Sequence, residues 1–318
     1  MSATILNLIS SITVIVFIYI LAAIMKKRKI LHEDHSSLLS KIVTDICLPA
    51  TVFFGLSQFP IHEKQILPSL VMLFIELTTI GLAWLITSIL KLPRQKQGAI
   101  IFCSAFGSST FLGYPLIINV FPESEAALSE AVIMSEIGVG YPLFILGPLL
   151  AIYFSSSFKE EGIPWKLSLS FFKSPVFFAF IIGVAWKNMG LPGPDNFLFK
   201  PIFQLASVLK SALLPLVILS VGLMFKKIEV RKILLPIIIV VAIKLIIKPL
   251  MANYTIKALN FPDTWREIAV ILDSMPSAFL GVVFIKRFGG NSELASSLLL
   301  TTTILSAVTL PVLFTLLF

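Results

Sequence analysis

Apolar stretches of about 20 residues recur along the whole chain, each long enough to cross the hydrocarbon layer of a bilayer as a helix. This repetition limits the fold more than any other feature. Hydrophobic residues make up 57% of the 318 and charged residues 13%, with a mean hydropathy of +0.97. A soluble domain of this length has too little interior to hide so much apolar surface. The excess faces lipid. Every polar interval is shorter than about 20 residues, so no separate soluble domain remains. The expected architecture is an all-α membrane protein.

Ten spans are predicted, at 4–25, 37–59, 67–90, 98–120, 129–153, 172–188, 199–225, 233–258, 265–287 and 294–317. The first is too long for a signal-peptide core and lacks a small-residue cleavage site, so it is read as a span. The sixth is short and aromatic-rich, with a polar start at Lys173, Ser174 and Pro175.

The net charge of +8 is not a nucleic-acid signal, because the basic residues sit in short loops beside apolar spans, where they report topology. One set of loops holds Lys26, Lys27, Arg28 and Lys29, then Lys91, Arg94 and Lys96, then Lys159 and Lys166. It continues with Lys226, Lys227, Arg231 and Lys232 and ends with Lys286 and Arg287. The opposite set is poor in Lys and Arg and carries the stretch Pro122, Glu123, Ser124 and Glu125. The basic set is expected in the cytoplasm, with both termini outside. Cys47 and Cys103 lie within spans and are read as small apolar side chains with no disulfide framework. His32, His35 and His62 lack accompanying Cys or carboxylate ligands, so no metal site is expected.

The chain repeats itself. Ser109-Thr110-Phe111-Leu112-Gly113 in span 4 returns as Ser277-Ala278-Phe279-Leu280-Gly281 in span 9, 168 residues later. Leu48-Pro49 in span 2 returns as Leu214-Pro215 in span 7, 166 residues later. The unit is five spans, an odd number, so the second copy enters the membrane from the other side. Residues 1–153 then form the first inverted repeat, 154–171 a short cytoplasmic linker, and 172–318 the second repeat. Transporters use such repeats to build two mirrored access states around one site.

Spans 4 and 9 are expected to be broken. In span 4, Gly107 is followed by Ser108, Ser109 and Thr110, with Gly113 and Pro115 just beyond as hinge candidates. In span 9, Pro276 lies between Met275 and Ser277, with Ala278 next and Asp273 just before. Proline removes a backbone donor and clashes with the preceding turn, while hydroxyl side chains cap a restarted helix. Bare backbone at that depth is tolerated only where it lines a cavity or is packed in protein. The restarted halves would aim N–H groups and positive dipole ends at one point, which favours an anion, most simply a carboxylate. The opposing interpretation is a pair of ordinary proline kinks. The candidate substrate-binding residues are Gly107, Ser108, Ser109, Thr110, Met275, Pro276, Ser277 and Ala278.

Charged residues inside spans are costly and mark function. The deep ones are Asp45, Glu76, Glu136, Lys210, Lys244, Lys248 and Asp273. Asp45 and Asp273, with Lys210, are the candidates for coupling to a proton or Na⁺. The alternative is that each carboxylate is held by Lys210, Lys244 or Lys248 and ties the bundle together. Glu76 and Lys244, again 168 residues apart, are the expected structural ion pair.

Several of these stretches resemble the auxin efflux carrier family, which includes plant auxin exporters and bacterial malate or malonate permease-like proteins. They are Leu38–Val43 leading to Leu48–Phe53, then Phe106–Pro115, then Met275–Phe279. The resemblance covers nearly the whole chain. It implies a five-plus-five inverted topology crossing at helices 4 and 9, with a scaffold of spans 1, 2, 6 and 7. A mobile transport domain of spans 3–5 and 8–10 would move by an elevator mechanism, with homodimers formed through the scaffold. Many relatives carry Asn-Thr where this chain has Ser108 and Ser109, Asp273 is not general, and the long central cytoplasmic loop of plant members is absent. The resemblance therefore implies a carrier of prokaryotic type, in the inner (plasma) membrane, for small carboxylates rather than auxin.

The function expected is secondary active or facilitated transport of small organic anions, without a cofactor and without a nucleic-acid partner. A cation/proton (Na⁺/H⁺) exchanger using Asp45 and Asp273 is the alternative, and a receptor or sensor would bind ligand without net transport. An enzyme is not expected. An intramembrane aspartyl protease would need a Gly-x-Gly-Asp motif, and neither Asp is preceded by glycine.

Overall fold

A computed structural model describes residues 3–58, 63–124, 126–155, 171–224 and 230–318. Most of the expected linker 154–171, together with His62, Glu125, Lys226 and Lys227, lies outside the described residues. In chain order the helices are α1 (Ala3–Lys27), α2 (His35–Gln58), α3 (Glu63–Ile89), α4 (Arg94–Ala105), α5 (Ser109–Val120) and α6 (Ala127–Tyr153). They continue with α7 (Pro175–Asn188), α8 (Lys200–Leu223), α9 (Leu234–Ala258), α10 (Asp263–Asp273), α11 (Phe279–Arg287) and α12 (Ser292–Leu317). Among the described residues there is no β-strand, only an isolated bridge between Gly107 and Ser277.

Seven of these helices, α1, α2, α3, α6, α8, α9 and α12, are long and apolar enough to cross a membrane. The other three expected spans are not single long helices. The sixth is the 14-residue α7, which starts at Pro175 because the Ser174 side chain caps it by accepting from the Phe177 N–H at 3.2 Å. The fourth is split into α4 and α5, and the ninth into α10 and α11. Three long helices contain a π turn, at Val43–Cys47 in α2, Glu136–Gly140 in α6 and Ala242–Ile247 in α9. Such turns recur at functional sites.

The chain forms two compact units. The first is built from Met1–Gln65, Thr110–Val132 and Phe171–Lys226, so it holds α1, α2, α7 and α8 with most of α5 and the start of α6. Many of its exposed side chains are apolar, including Phe17 and Ile20 of α1 and Leu205 and Val208 of α8, as contact with lipid favours. Gly183 lets α7 approach α2 closely: a Cβ there would lie 2.9 Å from the Leu56 side chain. Phe53, Trp186 and Phe203 pack edge-on and tilted beside this contact, with Phe53 and Trp186 centroids 5.5 Å apart. At the other end of α8, Ser36 and Ser40 bond Ser220, and Lys26 donates to the Leu223 carbonyl at 2.7 Å. That ammonium satisfies an orphan carbonyl at a helix C-terminus.

The second unit is built from Ile66–Ser109, Ile133–Ser170 and Lys227–Phe318. It holds nearly all of α3 with α4, most of α6, and α9 to α12. Phe102 is its apolar centre, with Phe106 at 4.8 Å and Phe284 at 6.3 Å between ring centroids. Cys47 in the first unit and Cys103 in the second are buried and free.

Candidate functional site

The site is built where α4 and α10 stop. Pro276 cannot donate, and Gly107 and the serines around it hold the other chain segment open. Phe106 and Ala278 have extended backbones, with ψ of 126° and 130°. The two open segments lie antiparallel in the second unit and supply each other with partners. The Ser108 N–H donates to the Pro276 carbonyl at 2.8 Å, and the Ala278 N–H donates to the Phe106 carbonyl at 2.9 Å. Two backbone donors that the interrupted helices leave unmatched are thereby satisfied.

Hydroxyl groups complete the arrangement. Ser277 Oγ donates to the Cys103 carbonyl at 2.7 Å, and the Ser277 N–H donates to Thr302 Oγ1 at 3.2 Å. Ser135 Oγ donates to Ser109 Oγ at 2.7 Å. Each break serine thus meets a hydroxyl from a later helix, 26 residues on for Ser109 and 25 for Ser277. Sequence reasoning missed Ser135 and Thr302. The near-equal spacing within the two repeats is the signal that would have found them.

Charge gathers beside the breaks. Glu76 of α3, Lys244 and Lys248 of α9 and Asp273 at the end of α10 are all fully buried in this unit. Lys248 is ion-paired with Glu76, lies 3.5 Å from Asp273 Oδ1, and donates to the Ala105 carbonyl at 2.7 Å. Lys244 reaches the carbonyls of Ala105 at 3.5 Å and Asp273 at 3.4 Å. These are the last carbonyls of α4 and α10, which have no helical donor and carry the negative ends of the helix dipoles. Lysine is the side chain that suits that place. Two ammoniums stand against two carboxylates, so the cluster is formally neutral.

The expected pairing of Glu76 with Lys244 is corrected by this geometry: the side chain in contact with Glu76 is Lys248. The two lysines are one turn apart on the same side of α9, and a repeat offset locates a turn without choosing between them. Among the described residues no carboxylate lies at ion-pair distance from Lys244. Its ammonium is held against the break instead: a Cβ on Gly107 would lie 2.5 Å from Lys244 Nζ. Glycine is therefore the residue that fits there.

The remaining candidates are distributed as follows. Gly107, Ser108, Ser109, Met275, Pro276, Ser277 and Ala278 are buried together in the second unit. Thr110, half-buried, and Gly113 and Pro115, buried, belong to the first unit. Asp45 also belongs to the first unit, where it is exposed on the π turn of α2 rather than buried. Its position near mid-span gives its distance along the helix but not the side of the helix it occupies. Lys210, half-buried on α8 of the first unit, places its ammonium 4.0 Å from the centroid of the Phe54 ring. Among the described residues no three His, Cys, Asp or Glu side chains converge as a metal site would need.

Residues 7–314 match the family described as membrane transport protein. An uncharacterized transporter of Methanocaldococcus jannaschii is 28% identical over 299 residues, covering 92% of this chain and 94% of that protein. An uncharacterized transporter of Methanothermobacter thermautotrophicus is 28% identical over 302 residues, covering 93% of this chain and 94% of that protein. A match across almost the whole chain, on an all-helical scaffold rich in apolar helices, places the chain in the membrane transport protein family, the family of the auxin efflux carriers.

Proposed function

We propose that this transporter carries small organic anions, bound at the paired breaks between α4 and α5 and between α10 and α11. The observation that carries this reading is the Lys244 ammonium, which reaches two main-chain carbonyls, has no carboxylate at ion-pair distance among the described residues, and lies against Gly107. Gly107 pairs with Ser277 across the break, and the first N–H groups of α11, those of Phe279 and Leu280, follow directly in the chain. An ammonium without an ion-paired carboxylate and backbone donors of a restarted helix then belong to one break, and a carboxylate is the simplest group to match them. Lys248 is occupied by Glu76 and Asp273 and keeps the cluster closed.

The fuller arrangement consistent with this site is two inverted five-span repeats, with spans 1, 2, 6 and 7 as a dimeric scaffold. Spans 3–5 and 8–10 would carry the anion across by an elevator motion, with coupling to a proton or Na⁺ through Asp273. The buried, lysine-matched state of Asp273 and the exposure of Asp45 in the other unit favour anion carriage over a Na⁺/H⁺ exchanger built on those two carboxylates. Uptake of labelled malate or malonate into proteoliposomes tests the reading. Carboxylate accumulation that neutral analogues do not compete supports it. Na⁺/H⁺ exchange with no carboxylate flux would replace it.

A further inference from the structure

The first unit contains a cleft of about 250 Å³ that the proposed transport site does not use. It is smaller than the roughly 300–1,000 Å³ of drug-sized sites, so its ligand is small. Its walls are mostly apolar, among them Phe54, Ile117, Phe121 and Leu128, and its polar groups include the Gln58 amide and the Lys210 ammonium. Lys210 lies about 15 Å along α8 from that helix's start, by the rise of an α-helix. An ammonium at such depth needs a counter-charge or strong acceptors. Lys210 has neither among the described residues: its ammonium sits over the Phe54 ring, 4.0 Å from Nζ to centroid. A ring face only partly offsets a positive charge and leaves the other side of the ammonium open to the cleft. Gln58 donates one N–H to the Phe54 carbonyl at 2.9 Å, which leaves its second amide N–H for a ligand.

We infer that this cleft is an anion-docking site for a molecule carrying one negative group on an apolar body, with Lys210 holding the charge and Phe54, Phe121 and Leu128 the body. One cation among apolar walls matches a monoanion and leaves the second charge of a dianion unmatched. That the site lies on the route of a transported anion rests on the carrier reading above; binding at Lys210 does not. The expected topology puts the ends of spans 2 and 4, and hence the cleft, on the outer side.

The test uses the full chain purified in detergent, with benzoate as the monoanion and benzamide as its neutral analogue. Amine-reactive reagent is pulsed at alkaline pH, and modification of Lys210 is followed by peptide mass spectrometry against the exposed Lys91 and Lys257. Benzoate at about ten times its dissociation constant should slow Lys210 modification about tenfold with the reference lysines unchanged, and benzamide should not. Equal modification rates with and without benzoate, or equal protection by benzamide, overturn the inference. By calorimetry, Lys210→Met should weaken benzoate binding about tenfold while Lys210→Arg largely keeps it, and equal affinity in all three proteins would also overturn it. Protection of Lys210 without carboxylate flux in proteoliposomes keeps the docking site and refutes the carrier. Flux with an unprotected Lys210 refutes the docking site and keeps the carrier.

Discussion

Replacing Lys248 with methionine isolates the electrostatics of the buried cluster. Methionine has a similar length and apolar stem, so the packing of α9 is nearly retained while the charge is lost. In the native protein the Lys248 ammonium is paired with Glu76, lies 3.5 Å from Asp273 Oδ1 and donates to the Ala105 carbonyl at 2.7 Å. All three charged side chains have no exposed surface. Without Lys248, two buried carboxylates share the single ammonium of Lys244, which contacts carbonyls rather than either carboxylate group. Breaking a buried pair by removing one partner costs about 3–5 kcal/mol, because the charge left behind is uncompensated. The Lys248→Met and Glu76→Gln double variant restores the balance, with Lys244 against Asp273. It should recover about 2–3 kcal/mol relative to the sum of the single losses, since residues in direct contact couple by such amounts. Equilibrium unfolding in mixed detergent micelles reads both quantities. If Lys248→Met stays within about 1 kcal/mol of the native protein, or the two substitutions add without coupling, the cluster is not the ion-paired unit described.

Three further substitutions follow from the same geometry. Pro276→Ala should leave a folded, membrane-inserted protein but lower carboxylate flux about tenfold, because alanine restores an N–H and lets α10 run on through the break; wild-type flux and affinity would show that proline does not maintain the site. Gly107→Ala should displace the Lys244 ammonium, whose Nζ lies 2.5 Å from the new Cβ, at a stability cost of about 1–3 kcal/mol and with a larger loss of flux. Flux that falls only in step with the amount of folded protein would contradict this. Ser135→Ala and Thr302→Val should each cost about 1 kcal/mol in unfolding and raise KM more than they lower turnover, because they aim Ser109 and Ser277; an unchanged KM in both would make them packing residues only.

The interruptions of the helices at Phe106–Ser108 and Ser274–Ala278 were legible because they are local chemistry. A mid-span proline lacks a donor, and glycine beside three hydroxyl residues competes with helical hydrogen bonding. The start of α7 at Pro175 was legible for the same reason, in its serine cap. Hydropathy by itself does not reveal the breaks in spans 4 and 9. It sums apolar character over a window and does not register where the helix stops. The partner of Glu76 was not legible, because Lys244 and Lys248 share a helix side and only the fold decides which one meets α3. Asp45 looked buried from its position in span 2, yet it is exposed, since distance along a helix says nothing of rotation about it. The hydroxyls of Ser135 and Thr302 look like ordinary polar residues of apolar helices until the breaks are placed beside them.

The central claim is that an anion is carried at the breaks and that the Lys244 ammonium binds it. The most direct measurement is uptake of labelled malonate or malate into proteoliposomes by the native protein and by Lys244→Met, at matched amounts of folded protein. Lys244 makes carbonyl contacts and no carboxylate ion pair, so its loss should cost about 1–3 kcal/mol in stability, less than the loss of Lys248. Carboxylate uptake by the native protein that falls about a hundredfold in Lys244→Met, with folding retained, is the result expected of one buried charge-assisted contact. Uptake by Lys244→Met at the native rate and affinity would contradict the account.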